Sequence, residues 1–518
     1  MKKTYAFALT AGLFLLGSCA ANEPEGGSQN PDLEGKEGYI KIGFNMAETR
    51  GSDLTDAEME DGEGNENTIT EATFLFFNKG VLAFQKTVKA NYEEGKVQPA
   101  WVTTGTHESV ASKCAVVKLD KDCDAVTVIC NYTPKITGSN TLNNEVINHK
   151  NGDNFVMSNA VYINGEQPGT ATSEWRATID PSRVYSTYTE AVTANDVAAV
   201  INVERLGAKV RVYSTKYSNA EFDPLAQEEG NKTLDLLNDD VTITFKPQQV
   251  GITGTKDGSY ILKQITPSSY GTAAAGFFEA INDASNKRCF WCESPLGTSH
   301  YAKFSPVANG TNPFNATKAA AKAAPVYVHE NSETDPSKVT NVFVAGVYEI
   351  KKGDTVIGVA EGSADALAGE EVGTFWLTAF GGKYTVHSTK ASVLKAMGID
   401  NDADYELEED LDDNGKWTGW MKIEGTAVRC LKYSAGAGYY AAPIKRFTIN
   451  GNDYNAIVRN HIYELSIDKI GGIGVGLPNL DHPIIPVTPP DPNDQTYYMH
   501  MSVNVLKWAV VDTQSVKW

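Results

Sequence analysis

The stretch that most constrains the fold lies near the end of the sequence, at residues 496–510. Large apolar side chains occupy every second position there, at Tyr497, Met499, Met501, Val503 and Val505. Strict alternation predicts a β-strand with one buried face. After Val505 the alternation shifts by one residue and continues through Leu506, Trp508 and Val510. This shift predicts a β-bulge at Val505–Leu506, because a one-residue slip exchanges the two faces of a strand.

A proline-rich segment, PNLDHPIIPVTPPDPNDQ at residues 478–495, precedes this strand. Such segments favour extended, polyproline-like backbone. A strand on a stiff spacer either folds back into its own domain or completes the sheet of another molecule. Which of the two applies is the main functional question that the sequence raises.

Bulk composition predicts a folded protein that does not bind nucleic acid. Hydrophobic residues make up 41% of the 518 residues, which is enough for a buried core and too apolar for a disordered chain. The formal net charge is −20. No basic patch is available for phosphate groups, and the acidic balance suits a self-repelling surface protein.

The first residues predict an export signal. Lys2 and Lys3 precede a short apolar core at residues 6–16, which is too short to span a bilayer. The core ends in Leu16-Gly17-Ser18-Cys19, which resembles a bacterial lipobox. That resemblance implies lipidation at Cys19, for example with palmitate, and an outer-membrane anchor for the precursor. The alternative is an ordinary signal peptide with an incidental cysteine.

A second alternating strand lies close to the N-terminus, with Ile40, Ile42, Phe44 and Met46 on one face. It follows a polar Gly/Pro linker at residues 20–37. It ends before Arg50-Gly51, where an acidic, glycine-rich stretch at residues 51–70 predicts an exposed loop. Proteases cut exposed loops, so Arg50 and Gly51 form a candidate cleavage site.

The rest of the chain predicts an all-β fold with short helices. We place the boundary between two β-sandwich domains near residue 265, and helices at residues 317–324 and 390–397. Strands are predicted at residues 72–77, 81–84, 125–132, 208–213, 241–245, 259–262, 326–328, 342–350, 355–359, 374–379, 417–423 and 456–470.

Several short blocks resemble one family, the fimbrillins, which are type V pilins of Gram-negative anaerobes. The blocks are residues 153–160, 203–210, 326–332, 438–444 and 454–467. The resemblance implies two tandem transthyretin-like β-sandwich domains and export as a lipoprotein. It also implies cleavage by an Arg-specific protease after the first strand, and polymerisation by strand exchange. The expected order is a signal peptide (1–19), a propeptide (20–50), two sandwiches (51–265 and 266–477), and a tether with a donor strand (478–518).

Strand exchange also has a physical basis in the two alternating strands. A sandwich that loses a strand exposes an apolar groove and unpaired backbone, which invite pairing. Residues 39–46 are expected to fill this groove until cleavage, after which the C-terminal strand of another copy replaces them. Head-to-tail contacts of this kind build filaments. In the isolated molecule we expect the tail to be mobile or loosely packed.

The predicted function is therefore a structural subunit of a surface fimbria that serves adhesion and biofilm formation. Its expected partners are copies of itself and other fimbrial subunits, an Arg-specific protease and the outer membrane; the adhesion target is not predicted. The alternative is a lipid-anchored β-sandwich adhesin, or a tip or anchor component of the fimbria, with carbohydrate binding as one activity. Trp417 and Trp420 are candidates for a sugar platform, although their spacing puts them on opposite faces of a strand.

Nothing in the sequence predicts an enzyme or a cofactor. The sequence contains no HExxH, Walker, G-x-S-x-G or Gly-rich dinucleotide motif. Asp410, Asp412 and Asn414 match the first half of a calcium loop, but Met421 stands where the bidentate glutamate is needed. A hairpin turn at Asn414-Gly415 is the simpler interpretation.

Six cysteines besides Cys19 remain: Cys114, Cys123, Cys130, Cys289, Cys292 and Cys430. The spacing of Cys289 and Cys292 is that of half a zinc or redox site. No second pair with metal-ligand spacing accompanies it, so buried or incidentally bridged thiols are expected.

Overall fold

The computed structural model describes residues 38–46, 59–62, 66, 68–89, 101–103, 113–136, 145–148, 155–159, 176–217, 221–224, 235–236, 240–263, 314–333, 338–380, 383–399, 407–411, 417–423, 429–449, 452–478 and 497–509. Within these ranges the protein is built from β-sheets with four short helices. The predicted all-β fold class is confirmed.

The first half of the chain contributes β1 (Gly38–Met46), β2 (Met59–Asp61), β3 (Glu71–Asn78), β4 (Val81–Lys89), β5 (Trp101–Thr103), β6 (Lys113–Leu119), β7 (Ala125–Cys130), β8 (Val146–Ile147), β9 (Met157–Asn159), β10 (Ala177–Thr178), α1 (Tyr188–Thr193), β11 (Ala199–Arg205), β12 (Gly207–Tyr213), β13 (Asp235–Leu236), β14 (Val241–Thr253) and β15 (Ser259–Tyr260).

The second half contributes α2 (Lys318–Ala323), β16 (Val326–His329), β17 (Asn341–Lys352), β18 (Thr355–Ile357), α3 (Ala364–Leu367), β19 (Phe375–Phe380), β20 (Lys383–His387), α4 (Lys390–Ala396), β21 (Leu407–Leu411), β22 (Trp417–Ile423), β23 (Arg429–Tyr433), β24 (Ala437–Pro443), β25 (Lys445–Ile449), β26 (Asn452–Asn455), β27 (His461–Gly472), β28 (Val475–Gly476) and β29 (Tyr497–Ala509).

The first sandwich is one sheet whose two halves face each other. Its strands run in the order β4-β3-β7-β9-β11-β1-β6-β5, with β10 beside β7. Inward residues from both halves share one core, including Ile40 of β1, Phe74 of β3 and Val117 of β6. Strand β3 is buried on both faces, because Leu75 and Phe77 belong to a separate apolar cluster on its other side. This double burial explains the continuous apolar run at residues 72–77.

The second sandwich is formed by three sheets. One runs β16-β12-β27-β29-β2, another β14-β17-β24-β28, and a third β13-β20-β19-β23-β22-β21. All three contribute to one core, which holds the rings of Phe245, Tyr348, Tyr433 and Tyr440. The buried hydroxyls of Tyr433 and Tyr440 donate to Gly474 O (2.6 Å) and Gly472 O (2.7 Å). These bonds satisfy polar groups that burial would otherwise leave unpaired.

The chain passes from the first sandwich to the second at Leu206. Strand β11 pairs in the first sheet and β12, which begins one residue after Leu206, pairs in the second sandwich with β27 and β16. Strand β14 also belongs to the second sandwich, where it pairs with β17. The boundary predicted near residue 265 is therefore wrong for the described residues. The reason is that the change of sheet happens inside a nearly continuous strand, where no loop composition marks it.

Candidate functional site

The predicted removable strand, β1, lies in the middle of the first sheet. It runs parallel to β11, from Ile42 opposite Ala199 to Met46 opposite Val203. It runs antiparallel to β6, from Gly38 opposite Leu119 to Phe44 opposite Lys113. Ile40 and Ile42 have no exposed surface. Removal of β1 would therefore open an apolar groove between β6 and β11 with two unpaired backbone edges.

The outer face of β1 is also occupied, by helix α1. Lys41 is 4% exposed, and its Nζ donates to Ala194 O (2.8 Å) and Val192 O (3.3 Å). A cation next to the last carbonyls of a helix is favourable, since these groups lack intrahelical partners. The helix begins with a capping box between Thr187 and Glu190, a signal that the sequence contains and that predicts it.

The predicted donor strand, β29, is paired within its own molecule. It runs antiparallel to β27, from Tyr497 opposite Gly472 to Lys507 opposite His461. Met499 is 9% exposed and belongs to the core of the second sandwich, and Met501 packs against that core. The expectation of a mobile or loosely packed tail is therefore wrong for the molecule in this state.

The alternation in β29 follows the two faces of its sheet. The residues opposite Val505, Val503, Met501 and Met499 lie in the core of the second sandwich; they are Tyr463, Leu465, Ile467 and Ile470. Cross-strand partners share a face, so the predicted alternating set stands at core-facing register positions. Leu506 lies opposite Ile462, which packs into the core of the first sandwich instead.

The bulge predicted at Val505–Leu506 is not present in the pairing. Tyr463 and Ile462 face Val505 and Leu506 in regular succession. The irregularity lies in the partner strand, where Asp468 is the extra residue between Ile467 and Lys469. The alternation shifts at Leu506 because this residue stands on the other face of the sheet. Its partner there, Ile462, packs against the first sandwich. Both faces are thus apolar there without a bulge.

The outer edge of β29 carries a strand that the sequence did not predict. Strand β2 runs parallel to it, with Met59, Glu60 and Asp61 opposite Lys507, Trp508 and Ala509. The exposed loop predicted for residues 51–70 is therefore wrong at this point, and also at Glu66, which is 4% exposed. Local composition could not reveal this, because the cations that neutralise these carboxylates come from strand β12 and helix α2, far along the chain.

Glu60 links β2 to strand β12 and helix α2 of the second sandwich. Arg211 donates from Nη1 and Nη2 to the two carboxylate oxygens, each at 2.7 Å, and Lys322 Nζ lies 2.7 Å from Oε1. Burial alone would raise the pKa of Glu60, but the hydrogen bonds and charges of Arg211 and Lys322 outweigh it. They lower the pKa to about 2. A bidentate arginine–carboxylate pair of this kind also fixes orientation.

Glu66 fixes the same segment a little further along the chain. Lys209 Nζ lies 2.6 Å from its carboxylate, and Arg205 Nε donates to its backbone oxygen at 2.8 Å. Both cations come from the strands on either side of Leu206. The chain between β1 and β3 is thus pinned to the second sandwich at two points.

The remaining predicted site residues divide into those described and those not. Cys19, Arg50, Gly51 and Val510 lie outside the described residues, as do Cys289 and Cys292 and the calcium candidates Asp412 and Asn414. Of Phe44, Met46, Leu506 and Trp508, only the strand pairing is described. The thiols of Cys114, Cys123, Cys130 and Cys430 are buried and not in disulfides. For Cys123 and Cys430, burial raises the pKa to about 12, so these two thiols are poor nucleophiles.

The calcium and sugar candidates gain no support. Strands β21 and β22 form an antiparallel hairpin, as the simpler interpretation predicted. Asp410 lies 3.5 Å from Lys422 Nζ, and Trp420 packs against the core of the second sandwich. Across the described part of the chain, no three His, Cys, Asp or Glu side chains converge to hold a metal ion. None of the helices within those ranges has the length and apolar character needed to cross a bilayer.

A family model matches the end of the chain. Residues 431–514, from β23 through β29, match the model described as major fimbrial subunit protein type IV, fimbrillin, C-terminal. No curated protein matches the chain significantly in sequence. The expected resemblance to fimbrillins is thereby confirmed for residues 431–514.

Three solved structures give low similarities along the whole chain. A cell adhesion protein from Parabacteroides distasonis has 13% identity and a TM-score of 0.41, covering 93% of this chain and 99% of that one. A fimbrilin from Porphyromonas gingivalis has 16% identity and a TM-score of 0.31, covering 91% and 98%. The tip fimbrial protein of Porphyromonas gingivalis has 10% identity and a TM-score of 0.30, covering 91% and 100%. The family assignment rests on residues 431–514 and not on these superpositions.

Proposed function

We propose that this protein is a structural subunit of a cell-surface fimbria and that it polymerises by strand exchange. The position of β1 is the observation that carries this proposal. It fills the middle of a sheet, both of its edges are bonded, and it precedes the candidate cleavage site at Arg50-Gly51. A cut there turns an integral strand into a separate peptide, which can leave and open a groove.

The occupant of that groove is the C-terminal strand of another copy. Strand β29 has the same alternation as β1 and follows a proline-rich spacer. It also ends the region that matches the fimbrillin model. Main-chain hydrogen bonds would give this joint its affinity, and alternate side chains would give it register. Because each copy both offers a strand and accepts one, the contact extends into a filament.

Export and anchoring complete the proposal. The precursor is a lipoprotein anchored through Cys19, and the cut after Arg50 releases the body of the subunit from its lipid. An Arg-specific protease makes the cut, and the role is structural and not enzymatic. Adhesion and biofilm formation then follow from the filament and not from a catalytic centre.

The second candidate function is a lipid-anchored adhesin, or a tip or anchor component, that does not exchange its tail. The pairing of β29 with β27 in the same molecule favours it, since that sheet is already complete. In this case β29 would be a permanent part of the second sandwich.

Two experiments on cells test the proposal. Electron microscopy should show surface filaments on cells that carry the wild-type chain and none on cells that lack it. Cys19→Ala should abolish incorporation of labelled fatty acid and delivery of the protein to the surface, while Cys123→Ala, at a buried thiol, should leave both intact. Unchanged acyl labelling of the Cys19 variant would refute the lipid anchor without touching strand exchange.

A further inference from the structure

The proposed function leaves open how the donor strand is placed in the groove, and the surroundings of β1 allow one register. Resting on that function, we propose that β29 of one copy enters with Tyr498 at the position of Tyr39, and that His500 replaces Lys41. The inserted segment is then residues 498–505, YMHMSVNV, in place of residues 39–46, YIKIGFNM.

The two octapeptides correspond position by position. Both begin with tyrosine, both have asparagine at the seventh position, and both have a basic residue at the third. Apolar side chains occupy the second, fourth, sixth and eighth positions of each. The tyrosine position has its own packing site, because Tyr39 makes an edge-to-face contact with Tyr188 of α1 at 6.0 Å between ring centroids.

The third position carries the most specific requirement. Lys41 supplies the cation at the end of α1, and when β1 leaves, Val192 O and Ala194 O lose their donor. The end of α1 is half-buried at Val192 and Ala194, and carbonyls there lose a stabilising hydrogen bond when their donor leaves. In the proposed register His500 comes to this position, and its imidazole can donate an N–H to those carbonyls.

The fifth position requires a small residue, and Ser502 provides it. A Cβ atom at Gly43 would lie 3.5 Å from Val197 Cγ1, which is ordinary contact and leaves room for serine. A shift of the donor by two residues in one direction brings the larger His500 side chain to this buried position and Tyr498 to the cation site. A shift by two in the other direction brings Lys507 to the position opposite the fully buried Val203, which is unfavourable for a charged side chain.

The groove also limits where insertion begins. A Cβ atom at Gly38 would lie 2.6 Å from Val184 Cγ1 and 2.8 Å from Tyr185 O. These distances exclude any side chain larger than hydrogen on the β1 path. Tyr497 therefore stays outside the groove in the joint, although it was expected on the buried face of the donor.

A native cysteine makes the register measurable. Gly43 lies directly opposite Cys114 of β6. Residues opposite each other in antiparallel strands have Cα atoms about 4.5–5.5 Å apart, which suits a disulfide. In the proposed register Ser502 takes the place of Gly43, so Ser502→Cys in one copy should bond to Cys114 of the next. If the donor is shifted by two residues, His500 or Asn504 stands opposite Cys114 instead. His500→Cys and Asn504→Cys therefore report the two shifted registers.

The experiment uses the full chain, processed with an arginine-specific endoprotease and then oxidised. Ser502→Cys should give a ladder of covalent oligomers on gels without reductant, and adding Cys114→Ser should remove the ladder. A ladder from His500→Cys or Asn504→Cys instead overturns the register but keeps strand exchange. If filaments form but none of the three cysteine variants gives a ladder, the donor strand does not lie beside β6, and the proposed placement is overturned. Absence of filaments from the processed wild-type chain refutes the proposed function itself.

A second readout tests the contact of His500. Subunits with His500→Leu should leave preformed filaments about fivefold faster than wild type, since a hydrogen bond to the half-buried end of α1 is lost. His500→Lys, which restores the side chain present in β1, should dissociate at the wild-type rate, as should Ser502→Ala. Equal rates for the Leu and Lys variants would overturn the role assigned to His500.

Discussion

Strands β1 and β29 share an alternating sequence but are held in their sheets in different ways. Strand β1 is paired along both edges, with β6 and β11, and is covered by α1. Strand β29 is bonded along one edge to β27, while among the described residues its other edge pairs with the short β2 alone, near its C-terminal end. The two strands thus differ in their hold, since β1 is bonded along both edges and β29 mainly along one. In the proposed exchange, a cut after Arg50 makes β1 a separate peptide that can leave, whereas β29 is released without a cut.

The largest effect is expected when the cut between β1 and the rest of the chain is prevented. Arg50→Ala should abolish polymerisation, because β1 stays attached and the groove stays filled. The full-length lipoprotein should then accumulate, as measured by electron microscopy and by the N-terminal sequence of the product. Arg183→Ala, at an arginine in the first sandwich, is the control and should still yield filament subunits that begin at Gly51. Filaments from the Arg50 variant would count against the account.

A substitution that leaves a cavity at β1 should destabilise the precursor but not the filament. Ile42→Ala removes part of a fully buried side chain and should lower the free energy of unfolding of the precursor by about 2–5 kcal/mol. In the processed protein β1 is gone, so filaments of this variant should match wild type in stability. Thermal melting of both forms measures the difference. An equal loss in filaments would mean that β1 never leaves.

The ion pair of Glu60 should contribute to the stability of the sheet that contains β29. Glu60→Gln should weaken the attachment of β2 and destabilise the second sandwich by about 1–2 kcal/mol, because Arg211 and Lys322 lose a charged partner. Glu349→Gln, at an exposed ion pair, is the matched control and should change stability by less than about 0.5 kcal/mol. Equal effects of the two variants in denaturant melts would contradict the role of Glu60.

The same pair predicts a pH dependence of stability. The pKa of Glu60 is lowered from 4.5 to about 2, so its ionised form is favoured by folding. Its contribution is fully present above about pH 4.5 and is lost as the pH falls towards 2. Wild type should therefore lose more stability over this range than Glu60→Gln. Parallel pH curves for the two proteins would refute this.

The sequence predicted what depends on local pattern. The alternating strands β1 and β29, the strands β3 and β4 of one hairpin and helices α2 and α4 all carry their signals within a few residues. At that hairpin, Lys79 and Gly80 adopt the positive φ angles that such tight turns need. These elements were predictable because their side-chain period and turn residues are sufficient to specify them.

What the sequence did not predict depends on partners that are distant along the chain. Strand β2 has no apolar period and is held by Arg211 and Lys322. The change of sheet at Leu206 falls inside a run of strand residues. The phase shift in β29 reflects two different neighbours on its two faces and not a bulge. In each case tertiary contacts override the local signal.

In the proposed exchange, β29 moves from its own sheet into the groove of another copy. Deletion of residues 496–518 tests it most directly, with circular dichroism and thermal melting to follow folding and electron microscopy to follow filaments. The account predicts that both sandwiches of the truncated protein still fold, the second with a lower melting temperature because Met499 no longer fills its core. It also predicts that the processed protein forms no filaments. Loss of the folded β signal on truncation, or filaments that form without the tail, would contradict the account.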